Sequence, residues 1–241
     1  MKYFPALSSG LLVKRYKRFL ADIESPAGEF MTIHCPNTGS MKNCTEPNSE
    51  VWYSRSANLK RKYAHTWELT RNAKGHYIGI HSAKANQIVL EAIQANKVPE
   101  LQGYADTRTE VKYGNENSRI DLLLTGNRSK DAKDCYVEVK SVTLLEQSGR
   151  GYFPDAVSTR GTKHLRELID VVANGDRAVL FFCVQHSGIT SVEPAVHIDP
   201  EYASTIRMAV DAGVEVLAYK CRMSPKSISI SKPVPFRLPE S

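Results

Sequence analysis

The sequence predicts a mixed α/β (α+β) chain: a small β-barrel followed by a mixed sheet flanked by helices. Three observations carry this expectation. Residues 1–83 read as short strands at near-regular spacing, broken by Asn, Gly and Pro. Residues 84–241 alternate helix-period stretches with apolar strand runs. The net charge of +6 sits wholly in the first part, where 12 Lys+Arg face 6 Asp+Glu, while residues 84–241 hold 20 of each. The chain is therefore expected to divide into a basic, nucleic-acid-docking domain at 1–83 and a charge-balanced domain at 84–241.

In the first part, L-L-V-K-R-Y-K-R-F-L-A-D-I reads as a strand. Val13, Arg15, Lys17, Phe19 and Ala21 fall on one side, with Lys14, Tyr16, Arg18 and Leu20 on the other. Cations interleaved with aromatic rings suit a groove that tracks a nucleic-acid backbone and stacks bases, which makes Arg15, Lys17 and Arg18 candidate contacts. F-M-T-I-H-C, E-V-W-Y-S-R-S, Y-A-H-T-W-E-L-T-R and H-Y-I-G-I-H supply further strands, around a turn-rich P-N-T-G-S-M-K-N-C. Trp52 and Trp67 are expected to be core residues rather than base-stacking platforms, and Lys60, Arg61 and Lys62 to form a basic loop.

In the second part, S-A-K-A-N-Q-I-V-L-E-A-I-Q-A-N is a helix with an Ile88, Val89, Ala92, Ile93 stripe, ended by Asn96 and Pro99. T-E-V-K-Y, R-I-D-L-L-L and C-Y-V-E-V-K-S-V-T-L are strands, joined by a G-N-E-N-S turn and a longer polar loop. A second helix starts at Ser158 or Thr159, buries Leu165, Leu168, Ile169 and Val172, and stops at Gly175. A-V-L-F-F-C-V-Q-H is a buried central strand, followed by V-E-P-A-V-H-I-D, a helix near 200–212 and the strand V-E-V-L-A-Y-K-C-R. The proline-bearing tail from Ser224 is expected to run extended over the surface.

The chemistry gathers between Glu110 and Lys140. Asp121 lies in one strand, and Glu138 and Lys140 share a face of the next, because strand side chains alternate. Two carboxylates on apolar strands are costly unless they are paired or hold a cation. Their oxygens suit Mg²⁺ or Mn²⁺, which activates a water and neutralises a scissile phosphate, with Lys140 assisting; the alternative is a structural ion pair at a sheet edge. This D…E-x-K spacing resembles the PD-(D/E)xK nucleases. Glu110 is a possible third acid, or the ion-pair partner of Arg108 or Lys112. The first turns of the second helix carry Arg160, Lys163 and His164; Arg160 and His164 share a face where a phosphate would sit. Asp155 is a cap or turn residue, or a further member of the site.

The remaining signals exclude other classes. No stretch approaches a membrane span, and Pro5, Ser8, Ser9 and Gly10 interrupt what would be a signal peptide. Five widely spaced cysteines without C-x-x-C give neither a disulfide framework nor a zinc knuckle; they fit a reducing cytoplasm, with Cys135 and Cys183 as core residues. Walker, dinucleotide-binding and zinc-protease motifs do not occur.

Four motifs in order, H-C-P-N-T-G-S-M (34–41), S-R-I-D (118–121), Y-V-E-V-K-S-V-T-L (136–144) and F-P-D-A-V-S-T-R-G-T-K-H-L-R-E-L (153–168), make the chain resemble the sugar fermentation stimulation protein A family over nearly its whole length. That resemblance implies an N-terminal OB-like barrel, a C-terminal PD-(D/E)xK nuclease-like domain, DNA binding and a link to regulation of sugar use. Within its motifs, Asp121, Glu138 and Lys140 match the nuclease residues, and Asn37, Thr38 and Arg119 are candidate nucleic-acid contacts. Ser40 stands where N-T-G-R-M carries arginine, and Ile120 where the superfamily name carries proline.

Three readings follow: a metal-dependent phosphodiesterase on single- or double-stranded DNA, a non-cleaving DNA-binding regulator linked to sugar metabolism, and an RNA-processing protein. No membrane partner is expected, and an open sheet allows a homodimer.

Overall fold

The computed structural model describes residues 1–114, 118–127 and 133–239. Parts of the expected G-N-E-N-S turn and of the long polar loop lie outside the described residues.

The first six strands are β1 (Ser8–Tyr16), β2 (Leu20–Glu24), β3 (Phe30–His34), β4 (Glu50–Arg55), β5 (His65–Arg71) and β6 (Tyr77–Gly79). Their sheet runs β3-β2-β1-β4-β5-β6, and a parallel β3–β5 pairing at His34↔Thr66 closes the first five into a barrel. Closure removes the exposed edges of the sheet. Leu12, Ile23, Ile33, Val51, Trp67 and Ile78 fill the interior, and the Trp67 indole donates to the Leu69 carbonyl. The first expected strand is in fact the hairpin β1–β2: Lys17 and Arg18 turn the chain with φ of 50° and 63°. The loop is three residues, Lys17 to Phe19, and holds none of the Gly or Asn residues that usually take positive φ, so it gave no sequence signal.

The remaining elements are α1 (Lys84–Gln94), β7 (Asp106–Tyr113), β8 (Ser118–Thr125), β9 (Cys135–Val142), β10 (Leu144–Leu145), β11 (Arg150–Phe153), α2 (Thr159–Ala173), β12 (Arg177–Val184), β13 (Ser191–Pro194), α3 (Pro200–Asp211), β14 (Glu215–Ser224) and β15 (Ser227–Pro233). The main sheet is ordered β15-β14-β12-β9-β8-β7, with β9, β12 and β14 parallel and its two outer hairpins antiparallel. A small β10-β11-β13 sheet sits beside it. On one face, α1 packs Ile88, Val89 and Ile93 against Val137, Val139 and Phe181. On the other, α2 and α3 pack Leu165, Leu168 and Ile206 against Leu180 and Phe182. Ser158 caps α2 as expected, accepting from the Gly161 amide. The stripe of α2 is centred on Leu165, Leu168 and Val171, and the expected Ile169 and Val172 lie at its half-buried margin.

The tail departs from expectation. Ser227–Pro233 is a full edge strand paired with β14, its alternation placing Ile228 and Ile230 in the core. The S-I-S-I-S pattern has the period of a strand, and the flanking prolines obscured it.

Candidate active site

The β8–β9 ladder runs only from Leu124↔Cys135 to Leu122↔Val137. At Asp121 the strands part. There the Asp121 carboxylate takes the bond that the ladder would have made: its Oδ2 accepts the Val139 amide at 2.7 Å, and its Oδ1 accepts Asn86 Nδ2, from α1, at 2.6 Å. Opposite Asp121, between the Thr109↔Leu122 and Val111↔Ile120 pairs, Glu110 holds a φ of 53°. A left-handed non-glycine inside a strand is strained, and such strain gathers at functional positions.

Glu138 faces the α2 side and is 2% exposed. Its Oε1 accepts Lys140 Nζ at 2.6 Å and a hydrogen bond from His164 Nδ1. Arg160 Nε donates to His164 Nε2 at 3.3 Å. A guanidinium can only donate, so Nε2 accepts and Nδ1 carries the proton given to Glu138. Burial alone would raise the Glu138 pKa, but the His164 hydrogen bond and the Lys140 charge overcome it and hold the acid below its usual value. Asp121 goes the other way: burial first, then the charge of Glu138, push it up to about 6, against the pull of its hydrogen bonds and Lys140. Adjacent acids driven apart in this way are a frequent mark of a functional centre.

A cleft of about 370 Å³ lies between barrel and main sheet, lined by the residues that contact the pair, Asn86, Val139 and Lys140. Asn37, Thr38 and Gly39 wall it on the barrel side, with Asn86, Lys140 and Phe153 opposite. The acids lie one side chain behind this wall, reached through Asn86, Val139 and Lys140. Asp155 is neither helix cap nor free acid. Its Oδ2 accepts the Met41 amide at 3.2 Å and the Ser40 hydroxyl at 3.4 Å, tying the barrel loop to the sheet. A Cβ on Gly39 would stand 2.6 Å from that oxygen, so only glycine permits the approach.

The sequence-selected residues separate into groups. Asp121, Glu138, Lys140, His164 and Arg160 come together, and of these Lys140 lines the cleft, with Asn37 and Thr38. His164 is buried, so it orients Glu138 where a phosphate contact was expected. Arg15 is diverted too: its guanidinium donates to the carbonyls of Arg18, Asn37, Gly39 and Ser40 and shapes the loop from within. Lys17 and Arg18 are exposed at the hairpin tip, and Lys163 is half-buried on α2. Tyr16 is tied to Asp22, while Phe19 stays open to solvent. Arg119 is exposed and stands across from Lys112. Glu110 is exposed, and no ion pair among the described residues joins it to Arg108, which lies 4.0 Å from Asp106 instead. Sequence reasoning missed Asn86 and the tyrosines Tyr113 and Tyr202, both with buried hydroxyls that have no partner among the described residues and whose pKa burial and then Glu138 raise. Asn86 sat on the polar side of an ordinary helix, where nothing marks it.

The donor set fits a hard divalent cation. Both groups are carboxylates, Glu138 Oε2 is buried without a hydrogen-bond partner among the described residues, and burial, then the nearby Glu138 charge, raises the pKa of Asp121. Among the described residues, no three His, Cys, Asp or Glu side chains gather as a ready-made metal cage. That pattern suits Mg²⁺, which keeps several waters and uses one or two carboxylates.

Comparison with known proteins places these features. The family model for the sugar fermentation stimulation protein RE domain matches residues 83–227, and that for the SfsA N-terminal OB domain matches residues 13–80. The chain is 61% identical over 231 residues to a sugar fermentation stimulation protein homolog of Shewanella frigidimarina, covering 96% of this chain and 97% of that protein. It is 57% identical over 238 residues to the homolog of Shewanella loihica, covering 99% and 100%. Among solved structures, Pyrococcus furiosus SfsA in complex with Ca²⁺ superposes with a TM-score of 0.86 at 23% identity, over 98% of each chain.

Proposed function

The chain belongs to the sugar fermentation stimulation protein family, and we propose that within it this protein binds DNA in the cleft between barrel and main sheet and hydrolyses a phosphodiester there with a divalent cation. The observation that carries the proposal is the meeting of Asp121, Glu138 and Lys140 where β8 and β9 part, beneath a cleft walled by the barrel loop. The structural relative's Ca²⁺ is consistent with a hard-cation site.

Asp121 and Glu138 would hold the cation, which when bound supplies charge neutralisation and a more acidic water. The chain's own residues do the rest. Asn86 and the Val139 amide fix the Asp121 carboxylate. His164 holds Glu138 by one oxygen and leaves the other free, and Arg160 fixes the His164 tautomer. Lys140, released from Glu138, places its ammonium against a phosphate oxygen or the attacking water. The exposed Lys17, Arg18 and Arg119 extend the cationic track outside the cleft. Five free, buried cysteines suit a reducing cytoplasm.

One observation favours a second reading, a DNA-binding regulator that does not cut: Lys140 and His164 both claim Glu138 Oε1, so the acid is already neutralised. Incubation with plasmid, single-stranded DNA and RNA under Mg²⁺, Mn²⁺ and EDTA separates the readings. Cutting that requires metal and disappears in Lys140→Ala supports the nuclease. Retention on a gel without cutting supports the regulator, and cutting of RNA alone moves the substrate. Cleavage that persists in EDTA or in Lys140→Ala removes the proposed mechanism.

A further inference from the structure

A second cavity, of about 210 Å³, is walled by Tyr113, whose hydroxyl feels the charges of both Glu138 and Glu167. Its walls are Tyr113 and Tyr136 from the sheet, with Glu167, Asp170 and Val171 from α2 and Asp176 beyond it. The two rings stand 5.7 Å apart, tilted by 39°. Among the described residues that line it, none is basic, in a chain whose net charge is +6. Glu167 is 1% exposed, yet among the described residues both its buried carboxylate oxygens lack a hydrogen-bond partner, as does the Tyr113 hydroxyl in the same wall. Gly114, with φ of 69°, yields its side-chain space to this carboxylate: a Cβ there would stand 2.7 Å from Glu167 Oε1. A dry, isolated carboxylate is costly, and the fold keeps room for it; a ligand cation resolves that cost.

The kind of cation follows from the walls. No three acids among the described residues converge closely enough to ligate a metal. The acids are instead spread from deep Glu167 to the exposed rim residue Asp170, with aromatic faces and Val171 between. Aromatic faces attract organic ammonium groups, and an apolar wall between separated acids suits methylenes. The volume falls below the roughly 300–1,000 Å³ of pockets that take drug-sized molecules. We propose that this cavity binds a small aliphatic diamine, one ammonium on Glu167 and the other at the Asp170–Asp176 rim.

The test is calorimetric titration of the full chain with 1,4-diaminobutane, with butane-1,4-diol and MgCl₂ as comparison ligands. Saturable one-to-one binding of the diamine is expected, with none of the diol. Glu167→Gln should weaken it roughly tenfold or more, as expected for a buried charged pair. Asp170→Asn, an exposed change that leaves packing intact, should weaken it roughly two- to threefold. Asp121→Asn should leave it unchanged, which separates this cavity from the cleft. Absence of saturable binding, equal binding by the diol, or full affinity in the folded Glu167→Gln and Asp170→Asn proteins overturns the proposal. So does displacement of the diamine by Mg²⁺ at matched ionic strength.

Discussion

Asp121→Asn should convert a pH-dependent stability into a flatter one. The wild-type carboxyl ionises near 3.8 when unfolded and near 6 when folded. Between those values the folded state holds more protons than the unfolded state, so stability falls as pH rises and levels off above the folded pKa. At about 1.36 kcal/mol per pKa unit, the loss is up to about 3 kcal/mol, or roughly 6–12 °C in Tm for a chain of this size. Asparagine removes the charge but keeps the geometry: its oxygen can accept the Val139 amide, and a flipped Asn86 can accept from its nitrogen. The assay is urea denaturation of both proteins at steps from about pH 4 to about pH 7. The difference between the two curves isolates this residue from groups such as His186, a buried imidazole held neutral to about 3. The variant should gain on the wild type by up to about 3 kcal/mol across the window. Mg²⁺ should restore part of the loss above about pH 6 in the wild type only. Parallel curves for the two proteins would refute the idea that burial and Glu138 strain Asp121.

Other expectations follow from the same contacts. Lys140→Ala should destabilise by about 2–4 kcal/mol, measured by urea titration, because it leaves Glu138 buried with only His164. Arg15→Ala should cost about 2–3 kcal/mol and raise hydrogen exchange in residues 37–40, since four carbonyls lose one guanidinium. Gly39→Ala should break the Asp155 clamp and cost about 1–3 kcal/mol, read as a lowered Tm. Lys17→Ala with Arg18→Ala should leave stability within about 0.5 kcal/mol and lower the log–log salt slope of DNA binding by about 2; an unchanged slope would remove the hairpin tip from the interface.

How much of this was legible beforehand varied with the physics behind each feature. Periodicity identified α1, α2, α3 and β12, because burying one helix face or a whole strand leaves a regular apolar pattern. It merged β1 with β2, since two positive φ values at Lys17 and Arg18 are a backbone choice that these side chains do not announce. At the site, alternation placed Glu138 and Lys140 together, and a four-residue helical offset placed Arg160 with His164. Spacing could not give the direction α2 faces, which decides whether His164 meets solvent or Glu138. Nor could it give the use of Arg15: a guanidinium among other cations reads as a polyanion contact until the loop that folds over it is known.

One local event accounts for much of the site. The β8–β9 ladder stops at Leu122↔Val137. A break there would orphan the Val139 amide in a buried setting, at a cost comparable to a lost hydrogen bond. The Asp121 carboxylate removes that cost by accepting the amide itself. It is thereby fixed deep in the sheet beside Glu138, and burial first, then that proximity, raises its pKa. Backbone satisfaction and acid strain are thus consequences of the same substitution of a side-chain oxygen for a ladder carbonyl. Alanine at this position would leave the amide unpaired and lose the acid at once, so its destabilisation says little about chemistry. Asparagine separates the two, because it can keep the amide satisfied while abolishing the charge. A protein in which Asp121→Asn binds DNA normally, folds more stably near neutral pH and no longer cuts would show that the acid is retained there for chemistry, against the stability of the fold.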